Sequence, residues 1–231
     1  MRIKLAALLV LAITAVGIVS TGSALAVELP DIQLLSGEAF PLVLKGETAS
    51  KKEQAVLETE LGEKLTAEHV IIEIEWGSLS SLALFHVHFL EVEEPRTKSL
   101  CNTSGDEPGK VLISGEFHTV FLIVGPPWVI HGDILFVEIA INCNKEKLKV
   151  KVRSPLLAGI KAELEKDITS MTMATSCTPK GKQEITEYTN DEGKKTKAVL
   201  TANFGLGFET TCQRIAEPIT LTASKMFLIK P

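Results

Sequence analysis

The sequence predicts an all-β, antiparallel fold, sandwich- or barrel-like, in two packed lobes held by two disulfides. Three observations predict it: strict period-2 alternation in several segments, turn signals recurring every ~8–15 residues, and four cysteines behind an export signal. The chain has 231 residues, a formal net charge of −5 and four cysteines.

The first element is the export signal. Arg2 and Lys4 precede an apolar run over 5–19, and small residues fill 20–26, ending in Ala24-Leu25-Ala26. This predicts a signal peptide over 1–26, cut before Val27. The run is short of the ~20 residues a membrane span needs. No cysteine follows the cut, so no lipid anchor is expected, and the chain is assigned to the secreted or cell-envelope space. Removing 1–26 takes away Arg2 and Lys4 and no acid, so the net charge falls from −5 to about −7. An acidic chain repels phosphate backbones, which argues against nucleic-acid partners. The later apolar stretch over 120–141 is interrupted by Gly125-Pro126-Pro127 and His131-Gly132-Asp133, so no stable membrane span is expected after cleavage.

Strands follow. In His69-Val70-Ile71-Ile72-Glu73-Ile74-Glu75-Trp76, one face reads Val70, Ile72, Ile74, Trp76 and the other carries Glu73 and Glu75. In 147–153, Leu148, Val150 and Val152 alternate with Lys147, Lys149, Lys151 and Arg153. Such alternation marks half-buried strands with one wet face. Further strands are read at 40–45, 55–61, 82–93, 111–124, 128–142, 170–177, 184–189, 197–204 and 219–229. The segment 156–166 reads as a strand or a short helical connector. Gly62-Glu63-Lys64 and Asn190-Asp191-Glu192-Gly193 read as turns and 103–109 as a longer loop. The composition shifts near Ser154-Pro155, from long Ile/Leu/Val/Phe strands to Thr/Ser/Lys-rich ones. The boundary is therefore placed there: an N-terminal β domain over 27–154 and a C-terminal one over 155–231.

Cys101, Cys143, Cys177 and Cys212 are even in number in an exported chain, which argues for two disulfides. Four cysteines allow three pairings. Cys101–Cys143 with Cys177–Cys212 is favoured because each then falls within one half. No C-x2-C spacing points to zinc instead.

The strings Glu58-Thr59-Glu60-Leu61-Gly62-Glu63-Lys64-Leu65, Cys101-Asn102-Thr103-Ser104-Gly105-Asp106 and Ala202-Asn203-Phe204-Gly205 resemble uncharacterised exported proteins of soil bacteria. The resemblance implies a bacterial origin and export, and nothing about chemistry.

The sharpest chemical feature is His86-Val87-His88, two imidazoles on one strand face, with His118 as a third candidate ligand for a divalent metal. With Glu93 the spacing H-x-H-x4-E resembles the cupin metal motif, and Pro126 with His131 echoes the second cupin motif. Ser80 and Trp128 stand where those motifs carry glycine, and Glu93 lies an odd number of residues from His88. Glu73, Glu75, Glu91 and Glu93 read as solvated acids facing basic residues. No nucleophile elbow, H-E-x-x-H, EF-hand, P-loop or dinucleotide fingerprint occurs. Trp128, after Gly125-Pro126-Pro127, is the candidate exposed platform for a ligand. The hairpin over 117–141 is apolar on both faces, so it must be covered twice, by a lobe, a partner chain or an apolar ligand. The expectation is a non-enzymatic binding or structural module that needs no cofactor and has an envelope or extracellular partner. An apolar-ligand carrier and a cupin-like metalloenzyme are the alternatives, and oligomerisation stays open.

Overall fold

In the computed structural model of the chain, residues 28–78, 81–144 and 148–231 are described. The export signal read at 1–26 and the outward Lys147 lie outside them. Every regular element among the described residues is a β-strand.

After β1 (Asp31–Leu34), the chain enters a first ring of strands as β2 (Leu42–Glu47) and passes into a second ring as β3 (Ala55–Thr59). It turns at Gly62, whose positive φ of 85° suits glycine, and returns through β4 (Lys64–Ala67) into β5 (His69–Trp76). β6 (Leu82–Leu90) leads down to β7 (Glu93–Glu94), and β8 (Ser99–Thr103) leads back to β9 (Lys110–Ile123). β10 (Val129–Leu135) and β11 (Ile139–Cys143) form the next descent, β12 (Leu148–Arg153) and β13 (Leu156–Lys161) the next ascent. β14 (Ile168–Ala174) is followed by the insert 175–200, which carries the hairpin β15 (Glu187–Thr189) and β16 (Lys195–Lys197). β17 (Thr201–Asn203), β18 (Glu209–Ile215) and β19 (Ile219–Lys230) complete the path.

Two antiparallel barrels result. The first runs β2-β5-β6-β9-β10-β13-β14-β19 and closes where Thr222 and Ala223 of β19 pair with Lys45 and Leu44 of β2. The second runs β3-β4-β7-β8-β11-β12-β17-β18 and closes where β18 pairs with β3, from Thr211↔Thr59 to Ile215↔Ala55. The two orders are the same order of staves: each strand of one ring continues into its counterpart in the other. The molecule is therefore one eight-stave meander whose staves all break at a common seam. Closure leaves neither ring with a free edge, which removes the usual template for edge-to-edge pairing.

The two lobes thus stack along the staves. Strands from either side of Pro155 occur in both rings, so the boundary at 154/155 does not separate one ring from the other. The segment 156–166 begins as strand β13 rather than a helix.

Alternation explains the packing. Val70, Ile72, Ile74 and Trp76 of β5 point into the first ring beside Ala83, Phe85 and Val87 of β6. Val150 and Val152 of β12 line the second. Outside, Lys45 pairs with Glu73 at 2.8 Å, while Glu138 holds both Lys151 at 2.9 Å and Arg153 at 2.6 Å. Apolar inside and ionic outside is the reverse of a lipid-facing barrel. No helix among the described residues is long and apolar enough to cross a membrane.

Both disulfides form in the favoured pairing. Cys101 and Cys143 face each other in register across β8 and β11, and Cys177–Cys212 ties the insert to β18. The insert also covers the doubly apolar hairpin. Its Ile185, Tyr188 and Ala198 pack on Val120 and Leu157, while Phe117, Phe121, Ile130 and Ile134 face the main core. That second cover comes from the chain itself.

One buried acid holds the corner of the second ring. Burial alone would raise the Glu94 carboxyl. It is outweighed by Thr97, which donates from Oγ1 at 2.6 Å and from N at 2.8 Å, and by Arg96, which donates from Nε at 2.9 Å and from N at 3.2 Å. Together these hold its pKa at about 2, against an ordinary value of 4.5. A carboxylate whose folded pKa is depressed adds stability above its unfolded pKa, and that stability drains as pH falls through the folded one. Glu94→Gln is accordingly expected to cost about 2–3 kcal/mol at pH 7. It should also flatten the loss of stability between pH 4.5 and 2, as read by urea unfolding across that range. A variant with wild-type stability at pH 7 would contradict this.

Candidate functional site

At the seam the inner walls of the two barrels meet around a cavity of about 80 Å³. The first ring contributes Ile72, Phe85, Val87 and Met173, and the second Leu57, Leu65, Ile141 and Ile215. The cause is local. Each stave is interrupted here, by Glu68 alone, by Glu91-Val92, by Ser154-Pro155, or by longer links. Inward side chains on the two sides therefore do not interleave as they do within a ring, and the paired Ala55 and Ala67 leave the gap unfilled.

The lining holds no ionisable side chain; its polar members are Thr66, Thr175 and Gln213. Gln213 occupies an inward position of β18 between Thr211 and Ile215, and Thr175 follows β14 where the insert begins. Thr175 Oγ1 donates to Gln213 Oε1 at 3.0 Å. The cavity is about half the ~150 Å³ at which an engineered apolar cavity stays dry and binds benzene or xenon. It suits a molecule of a few heavy atoms held by dispersion.

A second buried polar group lies outside the first ring, beneath the insert. His131 and Asp133 share one face of β10 and are 4% and 2% exposed. Burial pushes the His131 imidazole below its ordinary range. Burial likewise raises the Asp133 carboxyl, against the hydrogen bond from Tyr188 and the charge of His118. Tyr188 is pushed up to about 12, first by burial and then by the charge of Asp133. Gln183 Nε2 bridges the carbonyls of Leu157 and Ser176, both at 3.3 Å. This group fastens the insert to the barrel wall.

The metal candidates stay apart. His86 and His88 share the outer face of β6, as expected, but His86 Nδ1 is paired with Ser114 Oγ at 2.8 Å. His88 is exposed between Ile71 and Leu112. His118 lies opposite Leu82, four residues along β9 from the His86–Ser114 row, and pairs with Glu116 at 3.3 Å. Antiparallel register thus carries His118 away from the other two. Glu93 pairs across to Thr66 and Leu100 in the second ring, and His131 is enclosed beneath the insert. Among the described residues no three His, Cys, Asp or Glu side chains are placed to hold a metal ion.

Trp128 is not the exposed platform expected of it. The turn after β9 folds it back, half-buried, onto Phe121, with ring centroids 4.9 Å apart. Glu73 meets Lys45, and Lys151 meets Glu138, so Glu73 and Lys151 each find a local partner rather than each other.

Gln213 and Thr175 were not among the sequence candidates. The available signal was a lone amide at an inward position of E-T-T-C-Q-R-I. It is hard to read because Thr211, Cys212 and Gln213 are all buried, on both faces of the strand. No protein-family model, no curated protein and no solved structure matches the chain.

Proposed function

We propose that the chain is an exported, non-enzymatic binding module whose ligand is a small apolar molecule enclosed between the two barrels. One observation carries this reading: an apolar cavity, free of ionisable side chains, at the seam of a doubly closed barrel. Its walls supply dispersion contacts, and two of their three polar side chains hydrogen-bond to each other, which suits holding a molecule rather than transforming it. Export is supported by the leader-like residues 1–26 and by two disulfides, which persist in an oxidising space outside the cytoplasm. The ligand would be collected or handed over at the envelope or beyond it.

The test is a titration with 2-methyl-1-butene, followed through the methyl NMR signals of Ile72, Val87 and Met173. Saturable shifts are expected at these positions, with a Kd of about 0.1–1 mM for a ligand this small. In Ala67→Leu, which fills the cavity from β4, the shifts should vanish while stability changes by less than about 1.5 kcal/mol. Shifts confined to surface residues, or none, would refute the reading.

A further inference from the structure

We infer that the insert over 175–200 is an acid-released strap: protonation of His131, buried beneath it on β10, frees it from the outer wall of the first ring and bares Val120 and Leu157. His131 is no part of the seam cavity's lining, so the strap works whether or not that cavity takes a ligand.

The wall beneath is complete without the insert. β10 is paired on both sides, with β9 and β13, and His131 and Asp133 stand on its outer face, while Gly132 between them lies against Phe117 inside the ring. The insert adds little backbone pairing to this wall: β15 meets β9 only at Thr189↔Phe121. Side chains hold it instead. Tyr188 donates to Asp133, Gln183 Nε2 to the Leu157 carbonyl and Lys195 Nζ to the Leu122 carbonyl, and Lys182 pairs with Glu60. Ile185, Tyr188 and Ala198 cover Val120 and Leu157. Cys177–Cys212 fixes one end, so a released insert stays tethered.

His131 is the weak point of this contact. It is buried, and neither ring nitrogen makes a hydrogen bond of ordinary geometry. Among the described residues the histidine–carboxylate pairs are His69–Glu47 and His118–Glu116, so a protonated His131 would have no counter-ion in contact. A buried charge without a partner is costly, and hydrating it requires the cover to lift. The titratable groups facing it are Asp133 on its own strand, His118, which stands opposite Asp133 on β9, and Tyr188 of the insert. β13 sets Gly159 and Leu157 opposite His131 and Asp133; its Lys161 is exposed, as are Glu184, Glu187 and Lys197 of the insert. Burial holds the covered imidazole below its ordinary 6.5, against the pull of the Ile130 carbonyl. Docking is therefore at full strength above pH 6.5 and weakens as pH falls below it, by at most about tenfold per unit. Asp133 acts in the opposite sense, since burial raises its carboxyl from 3.8, but the Tyr188 hydrogen bond and the His118 charge restrain that rise. Between about pH 6.5 and 5 the histidine governs.

The experiment uses Tyr188, the sole tyrosine of the chain, as its reporter. Ring-labelled tyrosine is followed by NMR from about pH 7.5 to 5 in the disulfide-bonded protein, beside the indole signal of Trp76, which is buried in the first ring. A second signal at the free-tyrosine position should grow roughly three- to tenfold per pH unit below about 6.5, while Trp76 stays unchanged. In His131→Phe, which keeps a planar ring and cannot take a proton, that signal should stay at its starting level. In His118→Gln it should grow as in wild type. A tyrosine that stays docked throughout in wild type would overturn the strap. So would tyrosine and tryptophan signals that change together, because that is global unfolding. Growth that survives in His131→Phe, or is lost in His118→Gln, would overturn the role given to His131. Where circular dichroism shows that His131→Phe does not fold, His131→Asn, equally unable to take a proton, stands in, and the wild-type titration by itself decides between a strap and none.

Discussion

Phe117→Ala is expected to cost about 4 kcal/mol, shifting the denaturant midpoint without changing the slope. Phe117 is fully buried on β9 at the centre of the first ring. Its ring meets Trp76 edge-on, with centroids 5.7 Å apart at 82°, and stacks with Phe85 at 6.4 Å. It also lies over Gly132 of β10, where any Cβ would collide with it. The position is thus filled from three staves. Because the barrel is closed by hydrogen bonds all round, the wall cannot collapse to heal the void, and the full cavity term applies. Gly132→Ala tests the same contact from the other side: it should destabilise wild type and be better tolerated beside Phe117→Ala. A loss under ~1.5 kcal/mol for Phe117→Ala would show that this core is not the closed, rigid packing described.

Opening either disulfide should have a nearly equal effect. The loops closed span 42 and 35 residues, and the chain-entropy model gives about 4 kcal/mol for each. The local consequences should differ. Cys101 and Cys143 face each other across paired strands, so β8 and β11 stay hydrogen-bonded when the link is lost. In Cys101→Ala/Cys143→Ala the fold should loosen globally. Cys177 instead ties the insert 175–200 to β18, beside Gln213. In Cys177→Ala/Cys212→Ala, protease should cut first within the insert, even under conditions where the barrels stay folded. Global unfolding and limited proteolysis together separate the two. An insert as resistant as in wild type would contradict the fastening role.

The sequence carried much of this architecture where strands keep one wet face. The alternation in β5 and β12 is plain because water sets one side of each. Turns at Gly62 and before Gly193 were legible for the same local reason. Legibility fails where a second cover exists. β18 does not read as a strand, since the insert buries Cys212 on one face while Thr211 and Gln213 face inward on the other. The 128–142 run reads as one strand, but it breaks at the seam into β10 and β11. The shift at Ser154-Pro155 marks a real crossing between rings. It is one of eight, however, and composition cannot reveal that the staves are shared. Ring closure between β19 and β2 joins segments about 180 residues apart, beyond the reach of any periodicity. The cavity follows from that closure, so its residues became visible only with the fold.

A crystal of the protein pressurised with xenon probes the seam cavity itself. Xenon occupies dry apolar cavities of this kind without needing a hydrogen bond. One ordered xenon is expected at the seam, among Ile72, Phe85, Leu65 and Ile215, and it should be lost in Ala67→Leu. A seam without xenon, or filled by ordered water, would contradict the cavity reading.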